Sequence, residues 1–341
     1  MVTTKNLVEL ISEKVHEAQN EKVFYEEIYS NLNIQTGKNE FLFFIKPEIT
    51  VKSPRIKLED ILELILEKIL TFGFNIHNIK ILSAKYLDKY NIIAQHYGVI
   101  NKISSNASLH MSESAKKSFK KFYHKDVSDV KVLGGFEFLE MYPEFNARSL
   151  DYIWKNLETK KLASGTYCED VKIDNEIIYL LNGFHPRQLT HFIDEGKSIV
   201  TMTLSSNLSW KQARSCFVGS TNPFDANQGS LRRELLNLKD EFGLEEISQS
   251  RNGVHLSAGP VEAIVELIRF NLDPSNSNEN TEFLDFKFGN LLMQKFSNRF
   301  VDIINNINID VEGEAISIFD ITEELDSDSA IFILEKYLDH N

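Results

Sequence analysis

Apolar positions at Leu7, Leu10, Ile11 and Val15 recur at helical spacing and predict an amphipathic helical segment within residues 6–32, a packing or dimerisation element. Residues 40–46, EFLFFIK, form a compact apolar run stopped by Pro47; the run is too short for a helix and predicts a buried strand. Leu58, Ile61, Leu62, Ile65 and Ile69 predict a helix over 58–73. A second strand over 74–84 and a short helix over 85–97 follow. Residues 197–204, KSIVTMTL, predict a third strand, and 209–214 a short helix or turn. Residues 221–230 are turn-rich, 231–245 read as helical, and 252–255 as a short fourth strand. PVEAIVELIRF, at 260–270, opens with proline at a helix start and keeps helical periodicity. Beyond the polar stretch DPSNSNEN, the pattern predicts one long helix over 282–304, a strand over 315–319 and a last helix over 328–338.

This order predicts an α+β fold: an antiparallel sheet with helices on one face. Residues 100–183 differ in texture, with the loop-like SSNASLHMSES and the basic, aromatic KKSFKKFYHK, and predict an inserted subdomain. Its lysines Lys116, Lys117, Lys120 and Lys121 read as a solvated helix face, with steering of a polyanionic substrate as the other reading.

Composition narrows the function. The 341 residues carry a net charge of −13, which argues against broad nucleic-acid binding and against anionic membranes, though not against one local anion pocket. The two cysteines, Cys168 and Cys216, form neither a metal motif nor a disulfide framework, so a reducing, cytoplasmic setting is expected. No signal peptide and no membrane span are expected from the apolar runs.

Several short pieces then stand in a telling order. They are Phe43-Phe44-Ile45-Lys46-Pro47-Glu48, Gln95-His96-Tyr97, Gly219-Ser220-Thr221-Asn222-Pro223, Gly229-Ser230-Leu231-Arg232 and Arg251-Asn252-Gly253-Val254-His255, with Ser257 two residues on. Together they resemble the nucleoside-diphosphate kinase family, over roughly 39–100 and 184–272. The resemblance implies a ferredoxin-like βαββαβ antiparallel sheet with helices packed on it. It divides the chain into an N-terminal helical extension (1–38), a core (39–100 and 184–272), a mixed inserted subdomain (101–183) and a mainly helical C-terminal extension (273–341).

The resemblance also implies a ping-pong transfer. The γ-phosphate of ATP or another nucleoside triphosphate passes to His255, then to a nucleoside diphosphate or related acceptor, with Mg²⁺ arriving on the substrate. Glu266, eleven residues after His255, would orient the imidazole. Lys46 would reach the phosphates or the sugar hydroxyl, Arg232 would hold phosphate oxygens as a fork with Arg233 as its alternate, and Thr221 would bond the terminal phosphate. Asn252 would contact the sugar, Tyr97 would pack near the phosphates, and Phe184 would fall near the stacking aromatic. No protein ligand set for a metal is expected, and homo-oligomeric assembly is compatible with the family.

The chain also departs from the family pattern. Ser215 falls where an arginine is expected, so either a one-residue bulge restores Arg214 or a phosphate contact is lost. The segment between Arg232 and Asn252 is long, and Leu256 replaces a glycine after the histidine. These departures and the insert keep a second reading open, a nucleotide-binding regulatory or scaffold protein with little turnover. A third is a plain interaction protein. The acidic residues Glu312, Glu314, Glu323, Glu324, Asp326 and Asp328 read as solvated surface.

Overall fold

The computed structural model describes residues 4–31, 36–272 and 282–338. The chain divides into two compact units, residues 1–90 with 195–341, and residues 91–194.

The first unit is built on a five-stranded sheet. Its strands are β1 (Tyr25–Ser30), β2 (Asn39–Ile45), β3 (Asn75–Ser83), β4 (Ser198–Ser206) and β5 (Val254–Leu256). They lie in the order β1-β3-β4-β2-β5, and every neighbouring pair is antiparallel. β2 is buried at all seven positions, because it lies inside the sheet and both of its faces are covered. Phe41, Phe43 and Ile45 enter one core with Val8, Ile11 and Val15 of α1 (Thr4–Gln19) and Ile61, Leu62 and Ile65 of α2 (Leu58–Thr71). Leu231 and Leu235 of α3 (Leu231–Asn237) join the same core. On the opposite face, Phe44 stacks on Phe270 of α4 (Pro260–Asn271), with ring centroids 5.5 Å apart. Helices therefore cover both faces, not one, and a strand that is apolar at successive positions demands this.

Several element boundaries differ from the pattern-based expectation. The first helix ends at Gln19, and Tyr25–Ser30, expected within a helical segment, is an edge strand beside β3. Its Tyr, Ile and Tyr favour a half-buried strand, and Glu26 and Glu27 suit an edge. The helix expected over 85–97 is broken by Asn91, at φ 52°, into Ala84–Lys89 and Ile92–His96. The helix expected over 231–245 stops at Asn237, and turns carry the chain to Gly243, at φ 70°. There a Cβ would lie 1.9 Å from the Arg55 carbonyl oxygen, so backbone meets backbone.

The single long helix expected over 282–304 is instead a short turn at Phe283–Asp285, α5 (Lys287–Lys295) and Phe300–Ile304. The strand near 315–319 is Glu314–Ser317, paired with Asn308–Val311 about a turn at Gly313. The last helix, α6 (Ser327–Leu338), lies where expected. The stretch 273–280 lies outside the described residues.

Two residues at the start of β2 fasten this C-terminal region to the sheet. The buried carboxylate of Glu40 accepts the backbone N–H groups of Lys287 and Phe288, at 3.0 and 2.9 Å, at the head of α5. The amide oxygen of Asn39 accepts from the N–H of Ser327, at 3.0 Å, at the head of α6, and its amide nitrogen donates to Asp326 at 3.1 Å. Helix N-termini leave unsatisfied donors, and here strand residues supply the acceptors.

The second unit has its own four-stranded sheet, in the order Lys131–Gly134, Glu176–Leu181, Thr166–Ile173, Lys160–Ala163. Its first pair is parallel and the others antiparallel. Helices including Gly98–Ser105, Glu113–Tyr123 and Ala147–Trp154 complete two small cores. Lys116 pairs with Glu113 at 2.8 Å and Lys120 with Asp126 at 2.9 Å. No helix among the described residues is long and apolar enough to cross a membrane.

Candidate functional site

The antiparallel register of β2 and β5 sets Phe44 directly opposite His255. Their rings stack at 4.5 Å with an interplanar angle of 19°. The phenyl ring fixes the plane of the imidazole. Glu266, buried on α4, then lies 3.2 Å from Nε2 of His255. A carboxylate at Nε2 favours the tautomer that carries its proton there, and the lone pair then belongs to Nδ1. The histidine side chain keeps 17% exposure while the carboxylate keeps 2%, so the carboxylate is buried and the imidazole is reachable.

Beside the histidine lies a buried polar network. Lys46, at the end of β2, donates from Nζ to Oδ1 of Asn252 at 2.7 Å. Asn252 in turn donates to the carbonyl oxygen of Thr221 at 3.0 Å, which ties the 221–223 loop to the strand. Burial pushes the Lys46 ammonium down to about 8, Glu48 opposes this, and the Arg232 guanidinium adds a smaller push in the same direction. Gly253 links the pieces: its carbonyl accepts from the N–H of Lys46 at 2.8 Å, and its own N–H donates to Glu48 at 2.8 Å. It adopts φ 81°, and a Cβ there would meet Leu235 at 2.5 Å.

Arg232 is held at the head of α3 by two backbone acceptors, Gly219 at 2.9 Å and Val254 at 3.0 Å. Arg233, its alternate by sequence, donates to the carbonyl of Phe224 at 2.9 Å. Arg232 and not Arg233 lines a cleft of about 380 Å³ shared with Arg214, Thr221, Asp225, Leu256 and Glu324. Arg214 reaches it through a π-helical turn over Ala213–Val218, closed by the N–H of Gly219 on the carbonyl of Arg214 at 2.9 Å. Such a turn holds one residue more than an α-turn. The Ser215 hydroxyl bonds back to the Lys211 carbonyl at 2.6 Å.

Ser257, Tyr97 and Phe184 are the remaining sequence-selected residues. Ser257 exchanges hydrogen bonds with the backbone of Leu42, so it extends the β2–β5 pairing. Tyr97 and Phe184 belong to the second unit. There Tyr97 packs near His96, His185 and Phe192, and Phe184 packs against Trp154 and Tyr167.

Sequence reasoning missed three residues at these contacts. Phe44 was part of a motif but had no assigned role, although cross-strand pairing with His255 is the signal that finds it. Glu323 and Glu324, expected as solvated surface, pair with Arg214. Nη2 donates to Glu323 at 3.1 Å, and Nε lies 3.5 Å from Glu324. A separation of 109 residues along the chain gives no local signal for this contact. Glu262 lies in the same neighbourhood, and burial, with the Glu266 carboxylate beside it, pushes its carboxyl upward.

No protein-family model matches the chain, and no curated protein matches it. Among solved structures, the chain is similar to the crystal structure of an NDP kinase from Pyrobaculum aerophilum. The two are 17% identical, with a TM-score of 0.31, over 71% of this chain and 99% of that one.

Proposed function

We propose that this chain is a nucleoside-diphosphate-kinase-like phosphotransferase that works through a phosphohistidine on His255. The observation that carries the reading is the His255–Glu266 pair, with Lys46 bonded to Asn252 on the loop before β5 and Arg232 bonded to the Val254 carbonyl next to the histidine. Two cationic groups, Lys46 and Arg232, close to the histidine suit a polyphosphate ligand. The strand order supports a ferredoxin-like reading. β2, β3, β4 and β5, taken as four successive strands, lie as second, third, first, fourth, with α2 and α3 in the two connections.

In the first half-reaction, Nδ1 of His255 attacks the γ-phosphorus of a Mg²⁺-bound nucleoside triphosphate. The bond to the bridging oxygen breaks and the diphosphate leaves with that oxygen's electrons. Glu266 holds the Nε2 proton as the ring gains positive character. Lys46, Arg232 and Arg214 offset charge on the phosphate oxygens, and Thr221 and Asn252 fix the ligand's position. In the second half, a terminal oxygen of a diphosphate acceptor attacks the phosphohistidine and the neutral imidazole returns.

The test is to incubate the protein with Mg²⁺ and γ-labelled ATP, then GTP, beside His255→Ala. Acid-labile, base-stable label on the wild type alone is expected. Equal label on the alanine variant would sink the assignment. One observation favours a second reading, a nucleotide-binding regulatory protein with little turnover: Arg214 is already paired with two carboxylates. Thermal stabilisation by nucleotide without label would select that reading.

A further inference from the structure

The contact between Arg214 and the C-terminal region has the chemistry of a competition. A guanidinium that would hold phosphate oxygens holds carboxylate oxygens of Glu323 and Glu324 instead, and both ligand types use the same donors. Glu324 also lines the cleft that Arg214, Thr221 and Arg232 line.

The two glutamates are placed there by several independent features. Asn39 and Glu40 anchor the heads of α6 and α5, which flank the acidic turn in the chain. The N–H of Glu324 donates to the carbonyl of Ala258 at 3.0 Å. Gly259 allows the approach, since a Cβ there would lie 2.6 Å from the Thr322 carbonyl oxygen. Glu324 itself adopts φ 57°, an uncommon conformation for a residue with a side chain.

We propose that Glu323 and Glu324 form an internal anion that occupies the mouth of the phosphate cleft and must leave Arg214 before a polyphosphate can engage it. The proposal rests on the reading of this cleft as a phosphate site and adds its regulation. The side chains of all three partners are 27–46% exposed. Ion pairs at such exposure are weakly held, so a multiply charged ligand can displace them. Release of the clamp by a partner or by movement of the C-terminal region would then raise phosphate affinity without altering a residue that touches the phosphate.

The test uses the full chain and calorimetric binding of two probes, MgATP and inorganic tripolyphosphate, at fixed ionic strength. Glu323→Gln/Glu324→Gln is expected to bind both about tenfold more tightly than the wild type, and the gain should vanish when Arg214→Ala is added. Thermal unfolding checks that the variants fold, and the two single glutamine changes replace the double one if it does not. Unchanged affinity in the glutamine variants, or an equal gain without Arg214, overturns the clamp. Tighter tripolyphosphate binding with no label on His255 leaves the clamp standing and removes the transfer reading. Label on the wild type with no gain in affinity does the reverse. Binding of neither probe by any variant overturns both.

Discussion

At the scale of single residues, Lys46 is the most exacting group in the site. Its ammonium is buried and titrates near 8, below the ordinary lysine value of 10.5. Between those values the unfolded chain binds more protons than the folded one, so this group's contribution to stability rises with pH across that window. Phosphate binding works in the opposite direction, because an anion favours the charged form. Binding of MgATP at pH 8.5 should therefore take up a fraction of a proton that is absent at pH 6.5, and affinity should fall as pH climbs past 8. Calorimetry in buffers of different ionisation enthalpy reads the uptake directly. Identical heats in all buffers at both pH values would separate Lys46 from the ligand. In the sequence, Lys46 is marked by the resemblance of Phe43-Phe44-Ile45-Lys46-Pro47-Glu48 to a family motif. The motif does not reveal the partner, since Asn252 lies 206 residues away and only sheet pairing brings it near.

At the scale of elements, the site depends on how β2 and β5 meet. The loop before β5 turns on Gly253, whose positive φ and contact with Leu235 exclude a side chain. Gly253→Ala should cost about 1–3 kcal/mol from backbone strain and overpacking. It should also weaken nucleotide binding, because the same residue bonds both Lys46 and Glu48. Urea unfolding beside a binding titration checks the pair of effects, and a variant as stable as the wild type would show that the loop can turn otherwise. The strands over 74–84 and 197–204 and the helix over 260–270 were legible because each is a long apolar pattern of one period. What stayed hidden was set by tertiary contact. β1 gains its strand form from pairing with β3, and α5 begins at Lys287 where Glu40 supplies acceptors. The π-turn over Ala213–Val218 that carries Arg214 has no local signal in the sequence.

At the scale of the whole molecule, the C-terminal region is part of the first unit's architecture. Glu40 is buried, and burial pushes its carboxyl above the usual range while the two N–H groups it accepts pull the other way. Glu40→Gln keeps one acceptor and removes the charge, so a net loss of about 1 kcal/mol at neutral pH is expected. Denaturant unfolding at pH 7 measures it, and a gain in stability would mean that the desolvation cost outweighs the cap. The second unit has its own sheet and its own cores, and its boundaries at 91 and 194 enclose the basic stretch that sequence texture singled out.

β2 carries the helix-capping pair at its first end, and Lys46 follows its last residue. Deleting one residue between Phe41 and Ile45 would shorten the strand by about 3.4 Å and exchange its two faces beyond the deletion. Phe44 would leave His255, and Lys46 could no longer reach Asn252 while Asn39 and Glu40 still met their helices. Substitutions in this stretch act on one contact at a time, whereas an in-frame deletion breaks the anchoring and the site together. In this segment of the gene, the number of codons is under constraint as well as their spelling.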